Sequence, residues 1–193
     1  VSIVAGLVSG LLMALLRLYA PAPVRALARI YIDVFRSIPL LVLLVLVYYA
    51  LPFVGIRLSS FASAATALTL VSCAYTAEIF RAGIEAIPKG QFEAAEAIGL
   101  GFFSSMRDVI LPQAFRIVVP PLTSEFLTIF KNSSVALTIG VLELTAQART
   151  ISEYTFRTFE IFTLATVAYV VITLAVVVIM QFVETKIRVP GYI

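Results

Sequence analysis

The residues of this chain best suited to chemistry form a polar cluster inside the apolar stretch Ile117–Leu142. The cluster consists of Glu125, Lys131, Asn132, Ser133 and Ser134. Charged groups at membrane depth are costly, and by default they mark a site or a pathway. Glu125 and Asn132 lie seven residues apart, close to two helical turns, so we expect them on one helix face with Lys131 displaced from it.

Two interpretations of this cluster are open. In the first, Glu125 and Lys131 form an internal ion pair that only stabilises the helix bundle. In the second, the cluster binds a zwitterion: the carboxylate meets an ammonium group, and the neighbouring amide and hydroxyls meet the remainder. The Pro120-Pro121 pair favours the second interpretation, because prolines break helices and a broken helix exposes backbone donors at such sites.

A second pattern lies in the polar segment Glu78–Arg116. We expect a helix over Gln91–Ile98 that is stopped by Gly99 and Gly101, since glycine commonly follows a helix end. A second short helix should begin near Phe102 and close at Pro112. The residues that define the pattern are Glu93, Ala94, Ala95, Gly99, Leu111 and Pro112.

This segment also has two interpretations. It could be an amphipathic connector that rests on the membrane surface through Phe92, Ala95, Gly99 and Met106. Alternatively, it is a docking element for a protein in the cytosol. Its length, far beyond what a connector needs, and its small alanine side chains favour docking.

The composition indicates that the chain lies in a membrane, and it argues against several activities. Hydrophobic residues make up 61% of the 193 residues, charged residues 13%, and the mean hydropathy is +1.06, which predicts an all-α integral membrane domain. The chain has no histidine, and Cys73 is its one cysteine, so we expect no catalytic residues, no metal site and no disulfide. It also lacks a phosphate-binding loop, and we expect no cofactor and no nucleic-acid partner.

Apolar runs predict five membrane spans. These runs are Val1–Leu16, Ser37–Ile56, Leu58–Ala77, Ile117–Leu142 and Ile161–Val183. The first is short for a span and begins without methionine, so we expect that the amino terminus is truncated; a signal peptide is the weaker alternative. With five spans, the lysines and arginines of the first loop, the long loop and the tail share one side, which the positive-inside rule makes the cytoplasm. Lys89 and Arg188 should then be cytoplasmic, and the amino terminus and Arg149 extracytoplasmic.

Several motifs resemble one known family. Glu93-Ala94-Ala95, Gly99 and Leu111-Pro112 resemble the cytoplasmic EAA loop of permease subunits of ATP-binding-cassette (ABC) importers. Five further runs resemble the polar-amino-acid members of that family: Phe35–Leu40, Ala77–Ile84, Lys89–Gln91, Ile110–Arg116 and Lys131–Ser134. One conservative departure is Val109, where the loop consensus usually has isoleucine.

The resemblance implies a single type I ABC importer transmembrane domain over residues 1–193, with residues 84–116 as a cytoplasmic coupling loop. It implies a multi-pass protein of the bacterial cytoplasmic (inner) membrane that hydrolyses no ATP itself. The implied partners are a pair of ABC ATPase subunits, a second permease that is identical or paralogous, an extracytoplasmic amino-acid-binding protein, and membrane lipid. The implied substrate is a polar L-amino acid. Many relatives carry aspartate where this chain has Asn132, so acidic or neutral substrates are favoured, with glutamate and aspartate suggested by Phe35–Leu40.

Two alternatives belong to other classes. A secondary transporter or channel would work without an ATPase, but it would have no use for a long docking segment, and the chain shows no internal repeat. A membrane scaffold protein would have no reason to keep Glu125 and Lys131 at membrane depth.

Overall fold

The computed structural model describes residues 1–187, and within that range the chain forms helices joined by turns, with no strand. Helices are expected because lipid offers no partners to backbone amides and carbonyls, so an apolar span must satisfy them internally. Arg188, predicted to be cytoplasmic, lies outside the described residues.

Nine α-helices and four π- or 3-10-helical segments follow one another in the described part of the chain. The α-helices are α1 Ser2–Tyr19, α2 Ala22–Ser37, α3 Leu40–Val45, α4 Ser60–Glu85, α5 Lys89–Ala97, α6 Phe102–Ser104, α7 Leu111–Asn132, α8 Leu144–Thr155 and α9 Thr158–Ile187. The other segments are the π-helical turns Leu46–Ala50 and Ser105–Ile110 and the 3-10 segments Leu51–Val54 and Ser133–Ile139.

Three of these helices are long and apolar enough to cross a membrane: α1, α4 and the Thr158–Phe182 part of α9. Two bent pairs also pass when each is taken as one unit: α2 with Leu40–Val54, bent by 104°, and Phe102–Ile139 with α8, bent by 50°. Counting each bent pair as one span gives up to five spans, the number predicted from the sequence. The bounds differ, because the region of the predicted span Ser37–Ile56 passes only together with α2, and that of Ile117–Leu142 only together with helices on both sides of it.

Helix α4 lies at the centre of the bundle, in contact with α1, α2, α3 and α7, and its buried face is rich in small residues that permit close helix approach. Its Ser63, Ser72 and Thr76 are fully buried. Helix α1 approaches it so closely that a Cβ atom added at Gly6 would lie 2.3 Å from Ser72 Oγ, and one added at Gly10 would lie 1.9 Å from Thr76 Oγ1. Thr76 Oγ1 also donates a hydrogen bond to the Gly6 carbonyl at 2.9 Å, so glycine and small polar residues together set the distance between the two helices.

The same helix continues beyond the predicted span end at Ala77 and ends at Glu85. The prediction failed because it assigned Glu78 and the charges after it to a loop. Glu78 instead pairs with Arg81 one turn later and with Arg17 of α1 at 2.9 Å, and Arg81 also pairs with Glu85. These ion pairs allow the charged end of α4 to remain helical and fasten it to α1.

Helix α7 corrects two predictions about proline. Pro112 does not close a short helix but lies in the first turn of α7, directly after the π-helical turn Ser105–Ile110. Pro120 and Pro121 do not break the helix, because α7 continues to Asn132.

The physical reason lies in how the two faces of α7 are packed. Both internal prolines are exposed, whereas Val118, Val119 and Leu122 are buried and hold the helix against its neighbours. Adjacent prolines remove backbone donors from only one turn, a loss that membrane helices tolerate when packing maintains the rest. The helix changes form later, in the 3-10 segment Ser133–Ile139, and the chain turns at Gly140 with φ +81°.

Helix α8 is fixed to α9 by a carboxylate. Glu143 caps α8 by accepting hydrogen bonds from the backbone amides of Thr145 and Ala146 at 2.8 and 2.7 Å. Tyr169 of α9 donates its hydroxyl to the same carboxylate at 3.0 Å. One acidic side chain therefore satisfies two free backbone amides at the start of α8 and also joins α8 to α9.

The contact between α1 and α4 gives the first testable expectation. Gly10→Ala should destabilise the protein by about 1–3 kcal/mol, because a buried methyl group would be forced against Thr76. Cys73 is the one cysteine of the chain and is 4% exposed, so a thiol-reactive fluorescent dye reports thermal unfolding by reacting with it.

Gly90→Ala is the matched control, since a Cβ atom at Gly90 would meet nothing within 4 Å. Alanine is favoured over glycine in a helix, so this variant should melt at or slightly above the wild-type temperature. Equal melting of Gly10→Ala and wild type would contradict the proposed packing constraint.

Candidate functional site

A cavity of about 430 Å³ lies where α2, α4 and α7 meet. Its walls come from the α2–α3 turn, from one face of α4 and from one face of α7. The lining residues are Arg36, Ser37, Ile38, Pro39, Leu40, Val71, Tyr75, Glu125, Thr128, Ile129 and Asn132. The structure thus brings together two patterns that lie far apart in the sequence, the Phe35–Leu40 run and the polar cluster of α7.

Glu125 contributes the buried charge of this cavity. Its side chain is 9% exposed, and its Oε1 atom accepts no hydrogen bond from the part of the chain that the structure describes. Asn132 lines the same cavity, which agrees with the prediction that these two residues share a helix face. A buried carboxylate without a partner is costly. The arrangement is therefore suited to a cationic group that comes from outside the chain.

The rest of the predicted cluster lies elsewhere. Lys131 is exposed, does not line the cavity, and forms no ion pair with Glu125 within residues 1–187. The internal Glu125–Lys131 pair is therefore absent. Ser133 and Ser134 donate their hydroxyls to the carbonyls of Phe130 and Lys131 at 2.7 and 2.8 Å, so they stabilise the 3-10 turn and do not line the cavity.

Arg36 and Tyr75 are among the lining residues that the sequence did not indicate as site residues. The guanidinium carbon of Arg36 lies 5.4 Å from the ring centroid of Tyr75, and the Tyr75 hydroxyl donates to the Arg36 carbonyl at 3.4 Å. In the sequence, Arg36 stands out only as part of the Phe35–Leu40 motif. The available signal was its position just before Pro39, at the turn where α2 meets α3.

The predicted docking segment has a defined geometry around α5. This helix ends in a Schellman motif, in which Leu100 N–H donates to the Ala95 carbonyl at 3.0 Å and Gly99 N–H donates to the Glu96 carbonyl at 2.9 Å. Gly99 has φ +81°, which confirms that it occupies a conformation favouring glycine. Gly101 differs, because its φ of −69° is accessible to any residue and it starts α6.

The apolar face of this segment is covered by the protein itself. Ala95 is 2% exposed, Met106 is buried, and Phe92 packs against the cluster that contains Ile84 and Ile110. Gln113 of α7 donates to the Gln91 side chain at 3.1 Å, which joins α5 to the start of α7. The connector interpretation needed Phe92, Ala95 and Met106 to face lipid, and their packing argues against it.

The outward face carries only part of the predicted docking set. Glu93, Ala94, Gly99 and Pro112 are exposed, whereas Ala95 faces inward and Leu111 is half-buried against the same core. The small side chain of Ala95 therefore serves packing within this chain.

Ile98 and Phe103, exposed at 76% and 85%, extend the outward face and were not singled out from the sequence.

Comparison with known proteins identifies the class of this bundle. The family model described as "Binding-protein-dependent transport system inner membrane component" matches residues 6–189. The chain belongs to that family. Its resemblance to permease subunits of ABC importers, predicted from the EAA pattern, is thereby confirmed.

Two curated relatives illustrate the likeness. The "Probable glutamine ABC transporter permease protein GlnM" of Bacillus subtilis (strain 168) is 34% identical over 188 residues, which cover 97% of this chain and 87% of that protein. The "Glutamate/aspartate import permease protein GltJ" of Escherichia coli (strain K12) is 36% identical over 178 residues, which cover 86% of this chain and 72% of the relative.

Solved structures show the same fold. A crystal structure of an amino acid ABC transporter with histidines matches with a TM-score of 0.90 and 37% identity, covering 96% of this chain and 86% of that chain. An inward-facing structure of the MetNI methionine ABC transporter matches with a TM-score of 0.82 at 22% identity, covering 97% and 90%, which shows the fold alone. The type I importer fold predicted from the sequence is therefore confirmed.

Proposed function

We propose that this protein is the permease subunit of an ATP-driven importer that carries a polar L-amino acid across the cytoplasmic membrane. The observation that carries the proposal is the cavity in which Glu125, buried and without a partner, shares a face with Asn132. An ammonium group is the cation that every amino acid offers to such a carboxylate. The names of the relatives GlnM and GltJ support glutamine, glutamate or aspartate as the substrate class.

The neutral amide of Asn132 supports the same choice of substrates. A carboxylate at this position would attract a basic side chain and repel an acidic one, whereas an amide can both donate and accept hydrogen bonds. Acidic and neutral polar amino acids are therefore the proposed substrates. Thr128, which lines the cavity on the same helix, adds a hydroxyl of similar hydrogen-bonding character.

ATP hydrolysis belongs, in this proposal, to a separate pair of ATPase subunits that dock on residues 84–116. The exposed Glu93, Ala94 and Ala97 of α5, together with the neighbouring Ile98 and Phe103, supply a surface of mixed polarity for that contact. A second permease, identical or paralogous, and an extracytoplasmic binding protein complete the proposed assembly.

The coupling role is tested at Gly99. Gly99→Arg should leave membrane insertion intact but abolish uptake and weaken copurification with the ATPase, because a side chain at φ +81° strains the turn that holds α5. Gly101→Arg adds the same charge and bulk two residues away at an unstrained φ of −69°, and it should retain more uptake and more bound ATPase. Normal transport by Gly99→Arg would show that this segment is not the coupling element.

The substrate role is tested at Glu125. Glu125→Gln preserves the shape and removes the charge, and losing a buried charge partner costs on the order of 2–5 kcal/mol. Uptake of labelled glutamate and glutamine should therefore fall steeply, while copurification with the ATPase should be unchanged. ATPase stimulation in liposomes should accompany uptake, because the binding protein filters substrates first.

Glu160→Gln makes the same chemical change on an exposed side chain and should transport normally. Unchanged transport by Glu125→Gln, for every substrate that the wild type accepts, would remove Glu125 from the proposed pathway.

The proposed orientation is tested with two exposed positions. In a Cys73→Ser background, a cysteine in place of Arg149 should react with a membrane-impermeant thiol reagent in intact cells, and a cysteine in place of Lys89 should not. Both cysteines should react after permeabilisation, which controls for accessibility. Labelling at position 89 but not at 149 in intact cells would reverse the proposed topology.

A further inference from the structure

We infer that Arg36 is the carboxylate-binding residue of the cavity and that it holds the α-carboxylate of the transported amino acid. This inference rests on the proposed function, since it assigns the second charged group of the same substrate. Arg36 enters the cavity from α2 and Glu125 from α7, and the two residues form no ion pair with each other. The cavity therefore has a positive group and a negative group that do not pair with each other. A zwitterion between them could place its carboxylate on Arg36 and its ammonium group on Glu125.

The guanidinium of Arg36 is available for such a ligand. Within residues 1–187 it donates no hydrogen bond and joins no ion pair, and its guanidinium carbon lies over the Tyr75 ring. Glu78, an acidic residue of α4, forms no direct ion pair with Arg36; its carboxylate is paired with Arg17 and Arg81. Arg36 is exposed at the cavity wall, and its five N–H donors can bind a carboxylate that enters the cavity.

Tyr75 explains how Arg36 can be held in place. A guanidinium stacked on an aromatic ring keeps a fixed plane while its edge donors remain free. The Tyr75 hydroxyl also bonds the Arg36 carbonyl, so the backbone and side chain of Arg36 both contact one α4 residue. A guanidinium held in this way can bind a carboxylate through two parallel hydrogen bonds, which a lysine ammonium cannot reproduce.

The size and lining of the cavity agree with this assignment. Its volume of about 430 Å³ lies within the usual range of small-molecule sites, about 300–1,000 Å³. With the carboxylate on Arg36 and the ammonium on Glu125, the substrate side chain would face Asn132 and Thr128. The cavity should therefore require a free α-carboxylate and select side chains less strictly.

The test compares two probes that differ only at the α-carboxylate: L-glutamine and its α-amide, L-glutaminamide. Binding is measured by saturation-transfer NMR on the permease purified with its ATPase in nanodiscs of phosphatidylcholine, a lipid without net charge. The wild type should bind L-glutamine more tightly than the α-amide. Arg36→Met should lower the affinity for L-glutamine by about 10- to 100-fold, to that of the α-amide, because a hydrogen-bonded charge partner is lost.

Two further variants separate binding from folding. Arg36→Lys keeps the charge and should restore part of the preference for the free carboxylate. Arg29→Met removes an arginine from the same helix that does not line the cavity, and it should bind both probes as the wild type does. Each variant should copurify with the ATPase and elute as a single species.

Other outcomes would overturn the inference. Equal losses of both probes in Arg36→Met would assign Arg36 a structural role only. If Glu125→Gln abolished binding while Arg36→Met kept its preference for L-glutamine, the proposed function would stand and the inference about Arg36 would fail. If the wild type bound neither probe, both the inference and the proposed substrate cavity would fail.

Discussion

The close contact between α1 and α4 is the constraint on which the rest of the bundle depends. In lipid there is little hydrophobic driving force between apolar helices, so they associate through close packing and hydrogen bonds between small residues. Gly6 and Gly10 provide the space, and Ser72 and Thr76 fill it. Because this contact fixes the rotation of α4, it also fixes Tyr75, the neighbour of Thr76, on the face that meets Arg36 and the cavity.

The charges near α4 separate into two kinds once that geometry is known. Arg17, Glu78, Arg81 and Glu85 satisfy one another and thereby join α1 to the end of α4. Arg36 and Glu125 have no such partners within the described chain. Charges that a protein pairs internally stabilise its fold, whereas charges that it leaves unpaired at a cavity are available to a ligand.

The sequence predicted the features that depend on local physics. Long apolar runs gave the membrane helices, and glycine at the end of α5 gave the left-handed turn at Gly99, because few other residues accept that conformation. It failed where tertiary packing overrides a local rule. Pro120 and Pro121 should break a helix by their own chemistry, but the buried face of α7 carries the helix through them.

The sequence predicted the α7 side of the cavity but not the side formed by α2 and α4. The periodicity of one helix placed Glu125 and Asn132 on a common face, since that relation needs only the helix pitch. No periodicity within one helix could bring Arg36 and Tyr75 to the same place, because they reach it from two other helices. Lys131 is next to Asn132 in the sequence, but consecutive residues of a helix point in different directions. Its side chain therefore lies on a different side of α7 from the cavity.

The continuity of α7 links the two candidate functional regions. Leu111 and Pro112 begin the helix beside the α5 segment, and Glu125 follows fourteen residues later, roughly 20 Å along the helix axis. A break at Pro120 would have placed a joint between the proposed ATPase contact and the proposed substrate cavity. Because the helix is unbroken, and because Gln113 joins its first turns to Gln91 of α5, a displacement of α5 would be transmitted to Glu125 through one rigid element. The unbroken helix α7 therefore connects the proposed ATPase contact directly to the proposed substrate cavity in this importer.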